Sequence, residues 1–229
     1  MKLTQRSAGR ATMAACLAAL LGVALVPTHA EDLIPLPLKL PREAFAGTPP
    51  EPPEGVNEDD LDKTPKPRPI PLVPKGIAQV ALGKPVTAGG KPFSGTLEQI
   101  TDGAKEAYED TFMSLRGKTQ WVQVDLGASR TLYHIVVWHF HLEPVIVHDV
   151  VVQVSDDPTF GSGVTTLFNN DRDNSSGLGA GKAKEYWETN EGKLIACGAV
   201  RARYVRLYSR GSTYTDTLNR YTEVEVWAL

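Results

Sequence analysis

The segment Trp121-Val122-Gln123-Val124-Asp125-Leu126-Gly127 has the composition of a β-strand that ends in a turn. Other segments share its β-branched and aromatic residues, and each is bounded by clusters of Gly, Pro, Asn or Asp: 132–140, 149–155, 164–168, 184–188, 203–209 and 222–227. With 78–82 they give about eight short strands, and no apolar run long enough for a good helix lies between them. The pattern predicts an all-β fold, a jelly-roll β-sandwich of about eight antiparallel strands.

The alternation of side chains between the two faces of these strands distinguishes expected core residues from expected surface residues. In 149–155, Val150, Val152 and Val154 fall on one face because successive side chains point to opposite sides of a strand. By the same reasoning we expect a further set in the core: Trp121, Val124 or Leu126, Val136 and Trp138.

The first 30 residues have the composition of a secretory signal peptide. Lys2, Arg6 and Arg10 precede an apolar run over 11–26, and Ala30 ends a small-residue cleavage site. The apolar run is short for a membrane span, so no transmembrane segment is predicted. We expect a protein that is secreted or held in the periplasm or cell envelope.

The net charge and the cysteine content narrow the class of protein further. Without residues 1–30 the chain carries 21 basic and 27 acidic residues, a formal charge of −6, which does not favour nucleic-acid binding. Only Cys197 remains, so no intramolecular disulfide forms, as suits a bacterial secreted protein. Its apolar neighbours predict a buried, inert thiol.

Residues 31–76 hold twelve of the 17 prolines. Proline removes backbone donors and excludes helix interiors and central strands, so the segment is predicted to be an extended linker or wrapped arm that buries little. Residues 77–229 then form one domain large enough to have its own core.

Two groups of polar residues are candidates for binding. His139 and His141 lie on one face of a strand, and a hairpin would bring His148 near them, so a zinc or copper site is geometrically possible, as are a ligand-binding role and a structural one. The loop 169–175 is rich in Asn, Asp and Arg side chains, which hydrogen-bond sugar hydroxyls but also form turns.

For an exposed aromatic platform the candidates are Trp187 and Tyr214, and the turn-rich sequence around Tyr214 favours it over Trp187. A glycan site is therefore predicted where loops 139–148, 169–183 and 209–220 gather. The residues expected to line it are His139, His141, Glu143, Arg172, Asn174 and Tyr214.

Five segments, in order, carry a family resemblance: 81–88, 100–103, 121–127, 202–207 and 223–226. The chain resembles the coagulation-factor 5/8 type C (discoidin) domains and the related family 32 carbohydrate-binding modules over about residues 79–228. The resemblance implies a galactose-binding-domain-like sandwich whose end loops contact ligands. Carbohydrate-binding members often hold a structural calcium ion, and Asp102 and Glu223 match two of its ligands.

The leading hypothesis is a secreted, non-catalytic module that binds a glycan or cell-surface polysaccharide. The alternative is a structural or protein-interaction domain of a bacterial envelope or extracellular assembly, with the Pro-rich arm docking a protein partner. Enzyme activity is not expected, because no Gly-x-Ser-x-Gly nucleophile elbow occurs and no carboxylate pair is identifiable.

Overall fold

The computed structural model describes residues 32–49, 51–64 and 67–229, so the predicted signal peptide lies outside the described residues. Two short 3₁₀ helices, Glu58–Asp60 and Leu97–Thr101, interrupt a chain built from strands. The strands are β1 (Leu33–Pro35), β2 (Leu72–Pro74), β3 (Ala78–Gln79), β4 (Val86–Ala88), β5 (Pro92–Ser94), β6 (Met113–Arg116), β7 (Gln120–His139), β8 (Val151–Ser155), β9 (Thr165–Asn169), β10 (Lys193–Ser209) and β11 (Leu218–Ala228). None of the helices in the described part of the chain has the length and apolar character needed to cross a bilayer.

The strands form an antiparallel β-sandwich, as predicted. Hydrogen-bonded neighbours follow the order β5-β6-β11-β7-β10-β8-β9, with β3 beside β11 and β4 beside β7. The long strands β7 and β10 pair along most of their lengths, and two register shifts, at 196–200 and 202–204, interrupt the ladder. Such irregularities bend strands and increase their twist. Both halves of β7 therefore contribute side chains to one core.

Most of the predicted strands occur in the structure, but their first and last residues differ from the predicted ones. The segments 121–126 and 132–140 are parts of the single strand β7, and β10 begins ten residues before the predicted 203–209. The strand predicted at 184–188 is wrong. Glu185 and Trp187 there make only isolated bridges, to Leu61 and Ile146 respectively.

The main core fills the space between the layers. Val150, Val152 and Val154 enter it as predicted, together with alternate residues of β7 such as Ile135 and Val137. Cys197 also lies in this core, and burial raises the pKa of its thiol to about 12. The prediction that this thiol is buried is confirmed.

A second apolar cluster lies on the outer face of β7 and β11, under the Pro-rich arm. Strands β1 and β2 of the arm pair with each other, and Leu36 and Val73 turn inward against Trp138 and Trp227. Leu36 is 3% exposed, and Val73 and Trp138 are fully buried. The prediction that the arm buries little is therefore wrong, because its apolar side chains cover a face of the sheet that water would otherwise reach.

The rest of the arm stays attached to the sandwich as it continues. Leu61 pairs with Glu185 and is buried with Val56 and Ile146 in a third small cluster. The Asp62 carboxylate accepts a hydrogen bond from Lys193 Nζ at 2.9 Å. These contacts join the arm to its own sandwich, so they give no support to the arm as a free docking segment for another protein.

Leu36→Ala should destabilise the protein by about 2 kcal/mol or more, because it opens a cavity beside Trp138. We expect a melting temperature lower by about 4–8 °C for a domain of this size. Leu72→Ala is the matched control, since Leu72 lies in strand β2 of the same arm but is 62% exposed. Equal melting temperatures for the two variants, measured by circular dichroism, would contradict a stabilising role for the arm.

Candidate functional site

Three loops gather at one end of the sandwich, as the predicted glycan site requires. The Arg210 backbone N–H donates to the His148 carbonyl at 2.9 Å, and the His148 N–H donates to the Gly211 carbonyl at 3.0 Å. The third loop joins them, because Asp173 shares a small pocket of about 230 Å³ with residues of the other two. Its lining is polar and carries both signs of charge: Lys118, His148, Asp149, Asp173, Arg210 and Asp216.

At this end the Arg220 guanidinium is surrounded by three aromatic rings. Its carbon lies 5.3 Å from the ring centre of Phe112 and 4.9 Å from those of Phe140 and Tyr214. Phe140 contacts both other rings, with centres 5.2 Å and 5.7 Å apart. We call these four residues the Tyr214 cluster. Each cation–ring contact is favourable, so the cluster holds its rings in place.

Tyr214 is the exposed member of this cluster. Its side chain is 54% exposed, whereas Phe140 behind it is 6% exposed. The backbone on either side of the ring is fixed, because the Thr213 N–H donates to the Ile146 carbonyl at 2.9 Å and Ser212 N–H donates to the Thr215 carbonyl at 2.7 Å. The end of the sandwich thus presents a supported aromatic surface to solvent.

His139 and His141 do share a face, but that face is inside the protein. They are 0% and 1% exposed. His139 Nδ1 lies 2.7 Å from Glu188 Oε1, and its ring lies 4.8 Å from that of Tyr221. His141 Nδ1 lies 2.9 Å from the His139 carbonyl oxygen. The two imidazoles support the connection that carries Phe140 and are not on the surface.

The other predicted ligand-binding residues lie on exposed loops but do not form one group. Glu143 is exposed on the loop that follows Phe140. Arg172 Nη1 pairs with Asp60 Oδ1 of the arm at 2.9 Å. Asn174 has a left-handed backbone (φ 59°), and its side-chain oxygen accepts the Gly179 N–H at 2.7 Å. Arg172 and Asn174 therefore fix the shape of the 169–183 loop.

The transition-metal site considered for His139, His141 and His148 does not form. His148 Nδ1 lies 3.0 Å from Glu185 Oε1 instead. Among the described residues, the group of three potential ligands is Asp149, Asp171 and Asp173, whose oxygens lie within 4.8 Å of one another. Three carboxylates this close could hold a cation. Burial raises the pKa of Asp149, and the charges of Asp171 and Asp173 add to the effect.

Glu223 and the turn that contains Asp102 meet at a second acidic position. Glu223 is fully buried, and its Oε2 accepts the Gly103 N–H at 3.0 Å. Its Oε1 has no hydrogen-bond partner in the described part of the chain. The pKa of Glu223 is raised to about 9, chiefly by burial and also by the carboxylates of Asp102 and Glu225. A buried carboxylate with one unused oxygen beside another acid fits a divalent cation.

Comparisons with known proteins agree with this fold. Residues 99–207 match the F5/F8 type C family model described as a NedA-like, galactose-binding domain. No curated protein matches the chain.

Among solved structures, a family 89 glycoside hydrolase from Clostridium perfringens is 18% identical with a TM-score of 0.50, over 66% of this chain and 14% of the enzyme. This chain thus spans a small part of that enzyme's length. Chitosan-binding module 1 of a chitosanase/glucanase from Paenibacillus sp. IK-5 is 22% identical with a TM-score of 0.46, over 65% of this chain and 98% of the module. Over residues 99–207 the sandwich is therefore similar to the galactose-binding-like domains of the F5/F8 type C family.

Proposed function

We propose that the protein is a secreted, non-catalytic module that binds glycans through the Tyr214 cluster. The observation that carries the proposal is the exposed Tyr214 ring, backed by Phe140 and Arg220 at the end where the loops gather. A pyranose has an apolar C–H face that stacks on such a ring. The fixed position of the ring lowers the entropy lost on binding.

Polar groups for the hydroxyl edge of the sugar come from the same loops. Asp216 lies two residues from Tyr214 and lines the small pocket with His148 and Arg210. Both donors and acceptors are available there, as a hydroxyl-rich ligand requires. The matching family model is of the galactose-binding kind, which supports a sugar as the ligand. Glu143, exposed on the loop three residues after Phe140, is a further candidate for contact with the sugar.

We also propose that a structural calcium ion binds between Asp102 and Glu223. The unused Glu223 Oε1 and the nearby Asp102 carboxylate supply the kind of oxygen ligands that calcium prefers. A bound cation would remove the cost of burying the Glu223 charge, and it would join the turn after the Leu97–Thr101 helix to strand β11.

Tyr214→Ala should weaken glycan binding at least about tenfold, or ~1.4 kcal/mol, while the melting temperature stays close to that of the original protein. A glycan array identifies the sugar, and titration calorimetry measures the affinity. Tyr108→Ala is the matched control, because Tyr108 is 56% exposed and outside the cluster. Unchanged glycan affinity in the Tyr214 variant would contradict the proposed site.

Chelation should lower the melting temperature, because an ion that binds only the folded state stabilises it by mass action. Asp102→Ala and Glu223→Gln should each remove the calcium-dependent part of the stability. If elemental analysis shows that the metal has been removed and the melting curve is unchanged, no calcium site of this kind exists.

In chelator, stability should fall as pH rises from about 4.5 towards 9. The folded Glu223 holds its proton over this range while the unfolded chain has lost it, so the folded state binds more protons. Glu223→Gln should flatten the dependence of stability on pH over this range. The difference in unfolding free energy between the variant and the original protein should therefore change most between about pH 4.5 and 9. Parallel pH profiles for the two proteins would show that the buried carboxyl does not behave in this way.

A further inference from the structure

We propose that the protein has a second glycan site, a cleft between the Pro-rich arm and the Tyr186–Leu194 segment that binds an uncharged oligosaccharide. The cleft measures about 880 Å³, within the roughly 300–1,000 Å³ of small-molecule sites. One wall comes from arm residues between 40 and 68, and the other from the sandwich. We call it the arm cleft.

Hydrogen bonds at its base hold the two walls of the arm cleft together. Asp62 pairs with Lys193 at 2.9 Å, and Arg68 Nη1 donates to the Gly192 carbonyl at 2.5 Å. The Asn190 side-chain amide donates to the Pro41 carbonyl at 3.2 Å. Gly192 is required there, since its φ is +60° and a Cβ would lie 2.7 Å from the Trp138 ring. The arm cleft is thus formed before any ligand arrives, which lowers the cost of binding.

Its surface combines rings with short polar groups. Trp187 on the sandwich and Phe45 on the arm are both partly exposed and both line the cleft. The remaining apolar lining includes Leu40, Leu61, Pro49 and Pro52, and the short polar side chains are Thr48, Thr64, Thr189 and Asn190. Rings beside hydroxyl and amide groups suit a ligand with apolar C–H faces and hydroxyl edges.

The charges that line the arm cleft disfavour an anionic ligand, since four acidic residues, Glu43 among them, face three basic ones. Lys63 is paired with Glu58 at 2.9 Å, and Lys193 is paired with Asp62. The charge of Glu191 acts on Arg68, the third basic residue of the lining. Since each cation has an acidic partner, no excess of positive charge is left to attract phosphates or carboxylated polysaccharides.

A peptide strand fits this surface less well than a sugar. The arm side of the rim carries prolines at 49, 52 and 67, which have no backbone N–H to donate. The addition of a strand depends on such main-chain hydrogen bonds. The arm cleft also shares no residue with the Tyr214 cluster. Two separate sites on one chain would raise the avidity for a polysaccharide.

The experiment follows the indole N–H resonance of Trp187 by NMR while trisaccharides of β-1,4-linked glucose, galactose or N-acetylglucosamine are added. The chain has four tryptophans, so Trp187→Phe assigns the signal directly. At least one trisaccharide should shift this resonance with saturation, and Phe45→Ala should weaken that binding at least about fivefold. Phe93→Ala, which removes a 50% exposed ring outside the cleft, should leave it unchanged.

Tyr214→Ala separates the two sites. The Trp187 shift should persist in this variant if the arm cleft binds sugar independently, even if the Tyr214 cluster binds nothing. Thr48→Arg, at an exposed position of the cleft rim, repeats the test if Phe45→Ala melts early. The proposal is overturned if no trisaccharide shifts the Trp187 resonance. It is also overturned if the shift is lost in Tyr214→Ala but kept in Phe45→Ala and Thr48→Arg. That second result would be consistent with sugar binding at the Tyr214 cluster alone.

Discussion

The architecture depends on a strand that is apolar on both faces. Along β7, Ile135 and Val137 enter the core of the sandwich, whereas Val136 and Trp138 point the other way. An exposed face of this kind would cost about 25 cal/mol for each Å² of apolar surface left in water. The arm covers it, and Trp227 of β11 extends the covered area. The outer cluster thus makes the Pro-rich segment part of the folded domain.

Covering this face also determines the path of the arm and the surfaces beside it. With Leu36 and Val73 anchored, described arm residues such as Phe45, Pro52 and Leu61 face the Tyr186–Leu194 segment across the arm cleft. The Arg172–Asp60 pair and the Leu61–Glu185 bridge connect the same part of the arm to the loop end. The need to cover the outer face of β7 therefore accounts both for the attachment of the arm to the sandwich and for the formation of the arm cleft.

Most strand positions and the family resemblance were predictable from sequence, because period-two alternation and turn residues are local signals. Which faces of the strands are exposed to water was not predictable from sequence. The consecutive apolar residues Val136, Val137 and Trp138 indicate a strand buried on both sides, but they do not say what covers the second side. For the same reason His139 and His141 were placed on one face correctly, while their burial depends on Glu188 and Tyr221 from distant segments. Phe112, Phe140 and Arg220 were missed because the cluster that they form with Tyr214 arises only when three separate segments meet.

The contact between Val73 and the outer face of β11 also constrains the order of folding. The arm is synthesised before β7 and β11, and its apolar side chains have no surface to cover until both strands are in place. Contacts so distant in sequence form late, since the loop they close is costly in entropy. The prolines of the arm disfavour its pairing with strands of other chains, because proline offers no backbone N–H. The composition that makes the segment look like a linker thus also limits edge pairing by a segment whose binding surface on β11 is the last part of the chain to be made.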